Sequence, residues 1–475
     1  MKSMLKQGLL VAALTASAAP AAMAAECADA DRVPITWSTI AGFYTDAMAS
    51  LVSGFEAGHC VKVNVINIDN SQLYNKQVIE MVGETGAYDV VTLETSEKAE
   101  FAENGFILPM TDYFADKQAQ LDDVAPTLAA LTTRYKGDVW GLPYYTYTAG
   151  YIYRADLFDD PVEQEAFKKR FDYDLAVPTT WAQHHDIAEF FTRKAGETLK
   201  GEALTKDFYG VGLMAGPFPE IQDEMSGVLW SQGADWLTDD GTVPVDAVEK
   251  AMNDYLELMK YAPPAALTVT YDGVMNQMKD GQIAQTYSFF LDQWPNAVQT
   301  ENTVPGARMG VAEAPEKKAY IGGFLLAVST SSAHPQEAMD FVAYIGGFLL
   351  AVSTSSAHPQ EAMDFVAYIG GHDAQMEFAR AGGTSTLMSV LSDPGFATPE
   401  SRTKTGHFAT LLEIFDSMKG FRSNLFDTPF GAKIYNTMQI PLQSAAAGQI
   451  NAREAAERLA SEVEKICGGP CPIGK

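Results

Sequence analysis

Basic residues, histidine and cysteine are scarce in this 475-residue chain, and each scarcity removes a class of function. Lysine and arginine number 33 against 61 aspartates and glutamates, a formal net charge of −28. Such a surface repels a polyanion, so nucleic-acid binding is excluded. The charge itself speaks to solubility and association rather than fold. The seven histidines are scattered except for His184–His185. Neighbours on a helix face different ways, so this pair is a poor metal clamp and reads as solvated. The four cysteines form no pair of Cys-x-x-Cys units, which argues against zinc. There is no P-loop, no G-x-G-x-x-G, no H-E-x-x-H and no G-x-S-x-G. No cofactor and no motif-borne catalysis are therefore expected. Carboxylates are plentiful enough for a glycosidase pair, yet spacing singles out none. Past the first residues, no apolar run reaches the ~18–20 residues of a membrane span, so no membrane insertion is expected.

What is present begins with an export signal. The chain opens MKSMLKQ, continues GLLVAALTASAAPAAMAA, and so has a basic start, an apolar run and a small-residue ending. Residues 1–25 read as a secretory signal peptide cut near Ala24 or Ala25. Glu26 stands where lipoprotein processing wants a small residue, so Cys27 is not read as a lipid anchor. Export permits disulfides. Four cysteines allow three pairings. Cys27–Cys60 is favoured because each precedes a predicted strand at one edge of one sheet. Cys467–Cys471 closes a small Gly-Gly-Pro loop.

Strand and helix patterns then alternate. "VPITWST" (33–39), "VKVNVINI" (61–68) and "YDVVTL" (88–93) read as strands. Between them, Met48, Leu51, Val52 and Phe55 follow a helical period, and so do Tyr74, Val78 and Met81. This order argues for an α/β fold with a parallel sheet. In such sheets ligands bind beyond the carboxyl ends of the strands. Aromatic residues gather near predicted strand ends: Trp37, Phe43, Tyr44, Tyr144, Tyr145, Tyr147, Phe289 and Trp294. They stand beside Ser38, Ser71, Glu94, Thr95 and Asp292. Any one aromatic more often packs a core. Several of them among acids suit a sugar, whose C–H faces take a flat ring and whose hydroxyls take carboxylates.

Larger pieces follow in a telling order: "YDVVTLETSEKAEFAENGFILPMTDYF", "YKGDVWGLPYYTYTAGYIYRADLF", "VPTTWAQHHDIAEFF", "WSQGADWLTDDG", "DGQIAQTYSFFLDQW" and "GGFLLAVSTSSAHPQEAMDFVAYI". Together they resemble the family 1 extracellular solute-binding proteins of bacterial ABC importers, the class of maltose- and trehalose-binding proteins. The resemblance implies a two-lobed periplasmic-binding-protein fold, type II and maltose-binding-protein-like, with the ligand cleft between lobes and three hinge crossings. Lobe I would hold 27–146 and 327–394, and lobe II 148–320 and 396–475. Crossings would lie near Tyr147, Gly323–Phe324 and Gly395. The implied ligand contacts include Ser38 to Tyr44, Glu94 to Glu97, Tyr145, Tyr147, the Phe289 to Trp294 cluster, and a stacking Phe430 or Phe426. The implied role is periplasmic capture of a sugar or polyol and delivery to the permease subunits of the importer, by a monomer that is not an enzyme. Maltose-type sites carry an acid on the first crossing; Tyr147 replaces it, so maltodextrin specificity is not implied. Two rivals stand beside this reading: a binder of a non-sugar such as a phosphorylated polyol or an organic acid, and an exported glycoside-active enzyme.

One feature belongs to no family. Residues 319–342 recur unchanged at 343–366, a 24-residue tandem duplication, and AYIGG returns at 367–371. Two identical copies without a leucine-rich pattern do not make a solenoid. Each copy reads as one strand and one helix, where a family member needs one such unit at its second crossing. The expectation is that the first copy supplies the strand and the second the helix, since each then joins its natural neighbour.

Overall fold

The computed structural model describes residues 32–41, 52–56, 59–115, 118–345 and 372–474. Among them, eight strands of four or more residues are β1 (Val33–Ile40), β2 (Val61–Ile68), β3 (Val90–Glu94), β4 (Leu142–Thr146), β5 (Ala149–Arg154), β6 (Gln285–Phe290), β7 (Met309–Ala312) and β8 (Gly323–Val328).

Five of these form one sheet in the order β2-β1-β3-β8-β4. β1 pairs in parallel with β2 and β3, whereas β8 runs antiparallel to β3 and β4. Burial explains the sequence of each strand. β2 lies at the edge and alternates, with Val61 and Val63 buried and Lys62 and Asn64 exposed. β3 and β8 lie inside and read as apolar runs; all six residues of β8 are buried. The Asn70–Val82 helix connects β2 to β3 and buries Leu73, Gln77 and Met81. The second sheet has the order β6-β5-β7, with both neighbours antiparallel to β5. The Glu220–Ser231 helix packs against β6, the Val245–Met259 and Gly431–Ala446 helices pack on that helix, and the Ala452–Cys467 helix packs on those two. β4 and β5 are separated only by Tyr147 and Thr148, so the chain steps straight from one sheet to the other.

The duplicated segment corrects one expectation. The first copy supplies both β8 and the Pro335–Ile345 helix. That helix buries Ala338, Phe341 and Val342. The Phe341 ring stands edge-on to Trp37 and Phe55, with centroids 5.4 and 5.3 Å apart. Identical helices would gain the same burial, so tether length decides between them. The first copy's helix follows β8 after a turn held by Ser329 N to Asp89 O (2.9 Å) and His334 N to Ser332 Oγ (3.0 Å). A longer loop costs more closure entropy. Residues 346–371, with most of the second copy, lie outside the described residues.

A second correction concerns His184–His185. His184 is fully buried among the rings of Trp181, Tyr151 and Tyr287, at 5.9, 6.1 and 5.1 Å. The Trp181–Phe191 helix turns His184, Ile187, Ala188 and Phe191 inward together, and only His185 keeps partial exposure. Burial pushes the His184 imidazole down to about 3, so it is neutral.

Cys467 and Cys471 are disulfide-bonded to each other. Cys60 is also disulfide-bonded. Cys27 lies outside the described residues, as do the signal sequence, Phe43 and Tyr44.

Candidate functional site

The site is built where the two sheets exchange strands. Tyr147 N donates to Gly322 O (3.2 Å) and Ala149 N to Tyr320 O (2.8 Å), so the two crossing segments lie side by side as one hydrogen-bonded ribbon. Thr146 Oγ1 also donates to Gly322 O, at 3.0 Å. Gly322 is required here, because a Cβ would come within 2.1 Å of the Tyr147 ring. The end of β3 is fastened to this ribbon through Thr95, whose N and Oγ1 both donate to Gly323 O, at 3.2 and 3.0 Å.

Tyr147 is the centre of an aromatic cluster. Its ring lies 5.2 Å from Phe290, 5.4 Å from Phe324 and 6.2 Å from Tyr320. Tyr320 in turn stacks on Trp230 at 6.0 Å with 8° between the planes, and meets Phe426 edge-on. Phe430 is half-buried at the start of the Gly431–Ala446 helix, which touches the Lys98–Glu103 helix from the first sheet's side.

Carboxylates surround these rings. Tyr147 donates its hydroxyl to Glu94 at the end of β3. Tyr435 donates to Asp223 Oδ1 at 2.9 Å, and Tyr145 to Asp292 Oδ2 at 2.7 Å. Burial raises the Glu94 carboxyl, against the hydrogen bonds from Tyr147 and Ser96. Burial first, then the carboxylates of Glu94 and Glu220, push Asp223 well above the usual range. Glu220 is raised by burial and by Glu94, and Asp292 is raised by burial to about 6. Among the described residues, Glu220 Oε2 and Asp292 Oδ1 are buried here without a hydrogen-bond partner. The Tyr320 hydroxyl lies within hydrogen-bonding reach of Tyr435 and Tyr147. Among the described residues, no group of three or more His, Cys, Asp or Glu side chains is arranged to hold a metal.

Of the residues singled out from sequence, the structure brings together Glu94, Thr95, Tyr145, Tyr147, Asp292, Gly323 and Phe324. It places others elsewhere. Trp37 is wholly buried inside the sheet, with Nε1 donating to Thr92 Oγ1 at 2.9 Å. Ser38 is buried beside it and accepts from Gln77 Nε2 at 2.9 Å. Trp294 is buried under the Arg402 guanidinium and donates to Arg402 O at 2.6 Å. Ser71 is exposed at a helix start, bonded to Asp69. Phe289 lies in β6 opposite Gly150. Sequence reasoning missed Glu220, Asp223, Trp230, Tyr320 and Tyr435. No local signal marked the acids: the Glu220–Ser231 helix buries Asp223 and Glu224 beside an ordinary apolar stripe of Ile221, Met225, Val228 and Leu229.

Residues 41–347 match the family described as bacterial extracellular solute-binding protein. The chain belongs to this family. No curated protein sequence matches the chain. Among solved structures, this solute-binding protein is similar to an ABC transporter solute-binding protein from Agrobacterium radiobacter K84 in complex with ribitol. The two are 20% identical with a TM-score of 0.69, covering 92% of this chain and 99% of that one. It is also similar to one from Thermotoga lettingae TMO bound with α-D-tagatose (20%, 0.65, 91% and 99%). A third is MalE3 of T. maritima with maltose bound (17%, 0.64, 91% and 100%). The solute-binding protein therefore has the two-lobed, MalE-like α/β fold.

One stability consequence follows from the buried acids. Glu224 accepts from Tyr255 Oη (2.7 Å) and Met214 N (2.9 Å), and burial raises it from 4.5 to about 8. A raised acid keeps its proton in the folded state and loses it in the unfolded one, so stability falls as pH rises toward the folded value. His184 and His407, both lowered to about 3, act oppositely but only below their unfolded value of 6.5. Lys98, lowered to about 8, changes the balance only above that pH. Between pH 6.5 and 8 the carboxyls prevail. At about 1.4 kcal/mol per unit, Glu224 alone removes about 2 kcal/mol across this window. Denaturant midpoints measured at both pH values should fall with pH, and Glu224→Gln should flatten the decline. An unchanged slope in the variant would count against this assignment.

Proposed function

We propose that this protein is the substrate-binding component of an ABC importer, which captures an uncharged sugar or polyol between its lobes and delivers it to the membrane permease. The observation that carries this reading is the meeting of the Tyr147, Tyr320 and Trp230 rings with Glu94, Glu220 and Asp223 at the crossing ribbon. Rings cover the C–H faces of a polyol, and carboxylates take its hydroxyls. The groups acting on Glu94, Glu220 and Asp223 are carboxylates, hydroxyls and backbone, which disfavours a phosphorylated polyol or an organic acid. The ligands of the similar structures, ribitol, α-D-tagatose and maltose, are of the favoured kind.

In this reading lobe I comprises 27–146 with 327–394, and lobe II 148–320 with 396–475. The signal peptide is removed near Ala25, and the mature monomer works in the periplasm without cofactor or catalysis. Ligand touching both lobes favours the closed form by its differential affinity for the two forms, and the permease reads that form. Mass spectrometry of small molecules retained by the purified protein should find an uncharged polyol or sugar. Thermal shifts across a neutral carbohydrate panel should identify binders without product formation. An anionic retained ligand, or turnover of a glycoside, would overturn the proposal.

A further inference from the structure

The chain beyond its last helix reaches from one lobe to the other. The Ala452–Cys467 helix packs on the Val245–Met259 and Gly431–Ala446 helices, beside the second sheet. Its final residue is bridged to Cys471, and Cys471 N donates to Gly241 O at 2.9 Å. The following residues run to the seam with the other lobe. Gly474 is buried and its N donates to Asp427 O at 2.7 Å. A Cβ on Gly474 would lie 2.5 Å from Cε2 of Tyr135. Tyr135 belongs to the first sheet's side, buried with Phe101, Leu325 and Ala327.

Other groups cross at the same seam. Lys98, wholly buried on the first lobe, donates to Leu131 O at 2.5 Å and feels the Asp427 carboxylate across the interface. Asp427 is held from its own side by Arg422 Nη2 at 2.8 Å. The Asn424–Asp427 turn is anchored to the second lobe by Asn424 N to Asp235 Oδ2 (2.6 Å) and Asn424 Nδ2 to Leu237 O (3.0 Å).

We infer that the disulfide-closed tail, residues 467–474, is a strap that ties the two lobes at the Tyr135–Asp427 seam and limits how far they open. A bridge across so short a loop contributes least to global stability, because it removes little unfolded-state freedom. Its effect is local. Gly468 and Gly469 have φ of 72° and 141°, a stretch that glycine leaves free to wander without the bridge. With the bridge, residues 472–474 start from a fixed point on lobe II and arrive ordered at Tyr135.

Small-angle scattering of the full chain, without added ligand, tests the strap independently of what the site binds. Two variants are compared with the wild type: Cys467→Ser/Cys471→Ser, and deletion of residues 472–475. Substitution is preferred to a reductant because Cys60 is also disulfide-bonded. Both variants should show a larger radius of gyration, with unchanged circular dichroism. The deletion keeps the bridge and every helix, so it decides the matter if the double substitution impairs folding. An unchanged radius of gyration in the deletion variant overturns the strap.

Discussion

Deleting residues 343–366 raises the thermal unfolding midpoint by several degrees and leaves ligand affinity unchanged. The two copies are identical, so removing either yields one and the same chain. That chain keeps every residue the second crossing uses: Tyr320, Gly322, Gly323 and Phe324, followed by β8 and the helix whose Phe341 packs on Trp37. In the present protein, the Pro335–Ile345 and His372–Ala381 helices are joined through residues 346–371. The deletion shortens that connection by 24 residues, and closure of a flexible connection costs about 0.6 kcal/mol for each doubling of its length. The second copy also duplicates Phe, Leu and Val side chains for which β8 already fills the sheet position. Differential scanning calorimetry and titration calorimetry on the two chains measure both halves of the prediction. A shortened chain that melts lower and binds no ligand would show that the second copy is structural after all.

Tyr147→Ala weakens ligand binding by about 100-fold, while Tyr147→Phe weakens it by about 10-fold. The ring holds Phe290, Phe324 and Tyr320 in place, and its hydroxyl is a hydrogen-bond donor to Glu94. Removing only the hydroxyl leaves a buried carboxyl short of a donor, at about 1–2 kcal/mol. Removing the ring also forfeits aromatic contact worth about 0.5–1.5 kcal/mol per partner. The phenylalanine variant keeps the cluster packed and so separates folding from recognition. Titration with ribitol, α-D-tagatose and maltose, which occupy the similar structures, provides the readout. Equal affinity in wild type and Tyr147→Ala for a ligand the wild type binds would remove Tyr147 from the site.

Much of the fold was legible because strand patterns are local. The first three strands appear within two residues of their expected ends, since alternation and apolar runs record burial directly. The family resemblance pointed to crossings near Tyr147, Gly323–Phe324 and Gly395. The site was only half legible. Trp37 looked terminal in its strand, but β1 lies inside the sheet, where both faces are buried and alternation no longer says which side chains reach a ligand. Asp223 and Tyr435 meet across 212 residues of sequence, so no window contains both. Tyr320 sits in the duplicated segment, where attention falls on the repetition and not on the aromatic. The docked helix of the first copy was missed for a different reason. Identical sequences carry no preference, and only the length of the connection breaks the tie.

The hydrogen-bonded ribbon at the crossings also acts as an axle. For a rotation about it, displacement grows with distance from the axis. Tyr147, Tyr320 and Phe324 lie on or beside the ribbon and travel little. Glu220 and Asp223 ride on the lobe II helix and sweep a longer arc. In the proposed reading, Tyr147 with its Glu94 partner stands ready while the lobes are apart, and Trp230, Glu220 and Asp223 arrive with closure on one helix. On that proposal capture divides into two stages, first a landing beside the axle and then a clasp from the Glu220–Ser231 helix, and a ligand that fits only the first surface completes only the first stage.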